Sequence, residues 1–275
     1  MRFYESFRPG ALVLVISALL VIVVVFPTSG AESPAESGGT ELEYESPRLL
    51  SGAIYDQASS NRTLLFKFQR RAKRSGQKLS VEREYTYPDG RIAATERVVY
   101  EGNQLSSFEL IEKETGEQGR AIIRRSAGPE PRSDIEFEYS AGAGSNPKTG
   151  KEALGRDTVV NDMIGHFLIA HLDLLARGEK VKCRYIVIAR RETVGFTFTK
   201  VGESSWQGRE VINVRMAATS KLLAPLVKPV LFIIEKDAPH RVIQYSGRTT
   251  PKIKEGGTWK DLDAVTVFDW EHAER

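Results

Sequence analysis

From Thr63 onward the chain consists of short runs in which apolar residues alternate with polar or charged ones. Period two is the pattern of antiparallel strands with one buried and one wet face. Ile135-Glu136-Phe137-Glu138-Tyr139 is its clearest instance. Residues 79–87, then Pro88-Asp89-Gly90, then residues 91–100 predict a hairpin, because proline presets one turn position and Asp-Gly accepts the positive φ that follows. Glu101-Gly102-Asn103 and Thr115-Gly116-Glu117 reverse the chain again, into strands over 105–113, 120–125 and 132–139. The Gly-, Ser-, Asn- and Pro-containing stretch 142–150 reads as a polar loop.

The period then changes. Residues 161–177 predict one helix, with Thr158 or Asn161 as N-cap, Asp162 in the first turn, Arg177 in the last and Gly178 as the stop. At about 100° per residue, Met163, Ile164, Phe167, Leu168, Leu172, Leu174 and Leu175 fall on one apolar face with His171 near its centre, and Asp162, His166, Asp173 and Arg177 on the other, read as solvated. Strands resume over 181–189, 194–201, 209–217, 230–236, 241–247 and 264–270, with turns at 204–208 and 236–239. The fold class expected is mainly β: a curved antiparallel sheet or half-barrel with one amphipathic helix packed across its concave side.

The N-terminus follows a different pattern. Arg2 and Arg8 precede an apolar run over 11–26 that only Ser17 interrupts, and Pro27 and Ser29-Gly30-Ala31 close it. This order predicts a secretory signal over 1–31. The run falls short of the roughly 20 residues a spanning helix needs, and an uncleaved membrane anchor is the alternative. Residues 32–41, built from Glu, Ser, Pro, Gly, Ala and Thr, read as a flexible linker, and 42–275 as a single β-rich domain, periplasmic or otherwise associated with the envelope.

Composition narrows the chemistry by exclusion. A formal charge of +3 with both signs interspersed gives no ground for a nucleic-acid partner. A single cysteine, Cys183, rules out an internal disulfide, and its place in an alternating strand makes it a small buried hydrophobe. No Gly-x-Ser-x-Gly, Gly-x-x-x-x-Gly-Lys, His-Glu-x-x-His or Cys-x-x-Cys is present, and nothing calls for a metal or a cofactor. His166 and His171, five apart, stand about 140° round the helix and cannot share a metal as an i, i+4 pair does.

Three groups of residues remain. Phe167, Leu168, His171 and Leu175, with Leu223 and Leu226 of the proline-punctuated stretch 222–232, are candidates to line an apolar ligand groove, His171 being the polar group that orients a ligand. Lys67, Arg70, Arg71, Lys73 and Arg74 form a candidate basic surface patch for a membrane surface or an envelope protein. Asn61-Arg62-Thr63 matches the glycosylation triplet, which occurs often by chance.

The strand Arg209-Glu210-Val211-Ile212-Asn213-Val214 follows Trp206-Gln207-Gly208, and 230–237 runs through Pro239 into 241–247. This arrangement resembles a group of exported bacterial β proteins of unknown function, themselves similar in shape to the periplasmic lipoprotein carriers (the LolA/LolB-like half-barrel). The resemblance covers about residues 60–250 and implies a sheet curled around a helix, with an apolar groove that holds acyl chains. The front half departs from the pattern, and no functional residue carries over. Three readings follow: a lipid or other apolar ligand bound in the groove, a structural or interaction module of the envelope, and an enzyme built on His171 and a cavity carboxylate.

Overall fold

The computed structural model describes residues 43–57, 62–126, 132–220, 222, 224 and 227–274, all within one compact unit spanning residues 40–275. The signal or anchor, the linker, Asn61, Leu223 and Leu226 lie outside the described residues. Among the described residues, no helix is long and apolar enough to cross a membrane.

Eight strands precede the helical segment: β1 (Leu49–Asp56), β2 (Leu64–Ser75), β3 (Lys78–Thr86), β4 (Ile92–Glu101), β5 (Gln104–Glu112), β6 (Glu117–Arg125), β7 (Ser133–Ala141) and β8 (Lys148–Ala153). A two-residue strand, β9 (Thr158–Val159), leads into that segment. Six more follow it: β10 (Val181–Val187), β11 (Glu192–Trp206), β12 (Arg209–Ala218), β13 (Val230–Glu235), β14 (Val242–Glu255) and β15 (Thr258–Glu274). All fifteen make one open, curved sheet in the order β8-β7-β6-β5-β4-β3-β2-β1-β15-β14-β13-β12-β11-β10-β9. Every pairing is antiparallel except that of β9 with β10. The mainly β fold and its meander are those the alternation predicts.

The two ends of the sheet approach each other. The Glu152 carboxylate on β8 accepts the Thr193 backbone N–H of β11 at 3.1 Å. Gly119 and Gly150 leave the room this needs: a Cβ on Gly119 would run into Ile188, and one on Gly150 would meet Arg191 at 2.9 Å.

The helical segment lies against the inward face of the curled sheet, in a core shared with β3–β7 and β10–β14. It is not one helix. A 3-10 turn (Asn161–Met163) leads into α1 (Ile164–Ala170) and α2 (Leu172–Ala176), with a break at His171. There φ and ψ are −111° and 13°. The His171 ring takes over the Phe167 carbonyl, its Nδ1–H donating at 2.8 Å, while its backbone N–H falls back to Leu168 O at 3.3 Å. A side chain that competes for the i−4 carbonyl interrupts the helical ladder. The 3-10 turn begins at Val160, with no side-chain cap from Thr158 or Asn161. Gly178 does stop the segment, with φ +83° and its N–H on Leu175 O.

Several segments differ from the expected strands. β8 begins inside the stretch read as a loop, β11 continues to Trp206, leaving only Gln207-Gly208 as the turn, and β14 and β15 extend to meet in a hairpin across 255–258, well beyond 241–247 and 264–270. β1 carries too little alternation to be read as a strand, and the two-residue β9 is not among the predicted strands.

Candidate functional site

Register places three charged side chains in a row. Arg70 on β2 stands opposite Arg83 on β3, and Arg83 opposite Glu96 on β4. Successive side chains of a strand point to opposite faces, so Arg70 shares its face with Phe66 and Phe68, and Glu96 shares its face with Ala94, Val98 and Tyr100. The charged rung therefore points into the core. Two arginines directly opposite each other repel, and Asp162 of the 3-10 turn lies over them as the counterion. Its Oδ1 sits 2.6 Å from Arg70 Nε and 3.6 Å from Arg83 Nη2. Tyr100 Oη donates to Asp162 Oδ2 at 2.8 Å. Arg70 also donates to Asp162 Oδ2 at 3.3 Å and to the carbonyls of Pro47 and Tyr44, the latter at 2.6 Å. Glu96 accepts from Arg83 at 3.4 Å and from Asn161 Nδ2 at 3.1 Å.

Two cations and two anions thus balance in the interior. Burial alone would raise the Asp162 carboxyl; the charge and hydrogen bond of Arg70, with Arg83 behind them, override it and hold the pKa at about 2. His166, one helical turn on, packs edge-on against Tyr44, ring centres 5.2 Å apart. Burial pushes its imidazole down to about 4, with Arg70 adding to the effect against the pull of Asp162, so it is neutral at neutral pH.

Beside the rung is a cavity of about 440 Å³, in the range of small-molecule sites. Phe68, Ile164, Ile169, Phe232, Val242 and Phe268 supply its apolar wall, and Arg70, Arg83, Asp162 and His166 one polar side. Gly52 on β1 brings the aromatic wall together. It is registered with Phe68 on one side and Phe268 on the other, and those rings meet edge to face at 5.5 Å. Two polar atoms buried among the lining residues, Arg83 Nε and Thr266 Oγ1, have no hydrogen-bond partner among the described residues. At the rim, Trp270 donates its indole N–H to Val242 O at 2.7 Å, and the Arg241 guanidinium lies 5.7 Å from the indole ring.

A second cavity of about 290 Å³ shares Asn161 and Tyr245 with the first. It holds Glu112, whose carboxylate accepts the Lys252 backbone N–H at 3.2 and 3.3 Å. Burial raises the Glu112 carboxyl to about 7.

The structure redistributes the candidates. Phe167, Leu168 and Leu175 are buried in the closed core, Leu168 and Leu175 with 0% exposure, and line neither cavity. His171 is half-buried with its ring on Phe167, and it too lines neither cavity. The helix presents Ile164, Gly165, His166 and Ile169 to the larger cavity, so Asp162 and His166, expected to be solvated, line it, whereas Asp173 and Arg177 are exposed as expected. The correction has a simple cause: the curled sheet covers this segment from more than one side.

Arg70 does not belong to a basic surface patch; it is 2% exposed and tied to Asp162. Arg74 is held by Glu45 at 2.5 Å, whereas Lys67, Arg71 and Lys73, which point the other way, are exposed. Cys183 is buried, and burial lifts its thiol to about 12, with Asp157 adding. Among the described residues no cluster of His, Cys, Asp and Glu could hold a metal ion.

No protein-family model and no curated protein matches the chain. It is similar to the crystal structure of a DUF1329 family protein from Desulfovibrio piger, 10% identical, over 84% of this chain and 87% of that one, with a TM-score of 0.25. A superposition that loose carries no functional inference.

Proposed function

We propose that this chain is an exported envelope protein that binds a lipid or another apolar ligand in the larger cavity. The observation that carries the reading is the cavity itself: about 440 Å³ walled largely by aromatic and aliphatic side chains, with Arg70, Arg83, Asp162 and His166 as a polar cluster in its lining. Burying a ligand's apolar surface against such walls is favourable at roughly 25 cal/mol per Å². Unpaired polar atoms in the lining favour a ligand with polar atoms of its own. The charge-balanced rung keeps the site open at the core, because its side chains are fixed by one another and cannot collapse into the space.

Gly165 gives the test. It lines the cavity, and a Cβ there meets only Val242 Cγ2, at 3.9 Å. The Cβ has room, so Gly165→Leu directs a bulky side chain into the site, and alanine at the same position stabilises the helix by about 0.5–1 kcal/mol. Native mass spectrometry of the protein purified without detergent is expected to show a stoichiometric lipid adduct that disappears in Gly165→Leu, while that variant melts no lower than the parent. A wild-type mass free of any adduct, together with no uptake of added fatty acid, refutes the reading.

A further inference from the structure

The charges around the larger cavity do not share one situation. Arg70 is neutralised by Asp162, and Arg83 by Glu96 and Asp162. Arg241 is the cavity-lining cation without a carboxylate partner among the described residues. Glu43, also on the lining, is exposed and lies beyond ion-pair distance of it. Half-buried Arg241 sits directly after the tight turn at Asp237–His240, where His240 has φ +57° and donates its N–H to Asp237 O. Its backbone carbonyl is tied to Glu235 N at 2.9 Å. Its guanidinium lies over Trp270, which the hydrogen bond to Val242 O holds in place. Among the described residues no hydrogen bond engages the guanidinium N–H donors, and these donors suit carboxylate and phosphate oxygens.

We propose that the ligand is an anionic amphiphile, a single acyl chain bearing a carboxylate or a phosphate, with its head on Arg241 at the rim and its chain along the wall formed by Phe68, Ile164, Ile169, Phe232 and Phe268. This rests on the lipid-binding reading and adds the class of head group and the residue that selects it. The apolar wall alone would accept a neutral chain equally well; the unpaired, half-buried cation is what distinguishes an anion. Interior Arg83 Nε is a weaker anchor, because Asp162 and Glu96 already compensate its charge and would repel a second anion.

The experiment uses the purified, delipidated full-length chain and titration calorimetry with oleate, oleoyl lysophosphatidate, oleyl alcohol, acetate and inorganic phosphate. A charge-assisted hydrogen bond of ordinary strength makes the two anionic chains on the order of tenfold tighter than the alcohol. In Arg241→Gln both should fall to the level of the alcohol, whose own affinity stays unchanged. Arg241→Lys should recover part of the preference. Equal binding of alcohol and oleate by the parent overturns the head-group assignment and leaves the lipid reading standing. A preference that survives Arg241→Gln likewise removes Arg241 from the site. Acetate or phosphate competing as strongly as oleate shows an ion site with no need of a chain and also overturns the proposal. Binding of none of the five removes the lipid reading and this inference together.

Discussion

Asp162 Oδ1 and Arg70 Nε stand 2.6 Å apart across 92 residues of sequence, each side chain 3% exposed. The pair fastens the helical segment to β2 and lets Arg70 and Arg83 lie opposite each other inside the protein. Removing the aspartate leaves two buried cations with only Glu96 to offset them. Asp162→Ala is expected to cost about 3–5 kcal/mol in urea unfolding, and Arg70→Met about as much. The double variant should cost much less than the sum, since each single variant strands the other's charge. Additive losses would mean that the two side chains act independently.

Stability should depend on pH in two opposed ways. The Glu112 carboxyl, ordinarily near 4.5, is raised to about 7 in the folded chain. Its contribution is therefore fully present below pH 4.5 and is lost as pH rises through 7. His166, ordinarily near 6.5 and lowered to about 4, contributes fully above pH 6.5 and loses this as pH falls through 4. Asp162 does the same from 3.8 down to about 2. Between pH 4.5 and 6.5 the first two oppose each other. Glu112→Gln should leave a profile that rises with pH across that interval, and His166→Phe one that falls. Denaturant midpoints measured at half-unit steps of pH check both slopes, and an unaltered profile in Glu112→Gln contradicts the assignment.

Much of the sheet is legible from alternation and turn chemistry, as in Pro88-Asp89-Gly90, where the hairpin of β3 and β4 forms as predicted. The buried rung was legible in part. Phe66, Phe68 and Arg70 occupy alternate positions of one strand, so the same period-two rule that identifies β2 assigns Arg70 to the apolar face. Reading Lys67, Arg70, Arg71, Lys73 and Arg74 as one basic run set that rule aside. The counterion was out of reach, because pairing Asp162 with Arg70 depends on how far the sheet curls, a property of many registers together. The cavity face of the helix escaped for a related reason: a helical wheel separates apolar from polar residues, and a segment covered from several sides buries both. Arg241 carries no local signal either, since its proposed role depends on Trp270 and on the lack of a carboxylate partner among the described residues.

Gly52 makes a separate prediction. A methyl group there would collide with the Phe68 ring and the Val267 carbonyl oxygen. Gly52→Ala is expected to cost at least about 2 kcal/mol, since overpacking of a filled interior forces backbone or ring displacement. Phe68 and Phe268 also wall the cavity, so oleate affinity should fall along with the thermal midpoint. Loss of stability with affinity intact would place the strain outside the site.

β1 and β15 pair with each other at the middle of the sheet, flanked by β2 and β14. A ribosome releases β1 long before β15, so for most of synthesis the meander β1–β8 waits with β1 as an open edge. The half made of β9–β14 has its own open edge at β14, and β15 alone completes the hydrogen-bonded sheet between the two edges. The larger cavity draws walls from both halves, Phe68 and Arg70 from one, Phe232 and Val242 from the other. A nascent chain stopped short of residue 258 would therefore carry two unsealed strand edges, at β1 and β14, and a cavity lacking the wall of Thr266, Phe268 and Trp270.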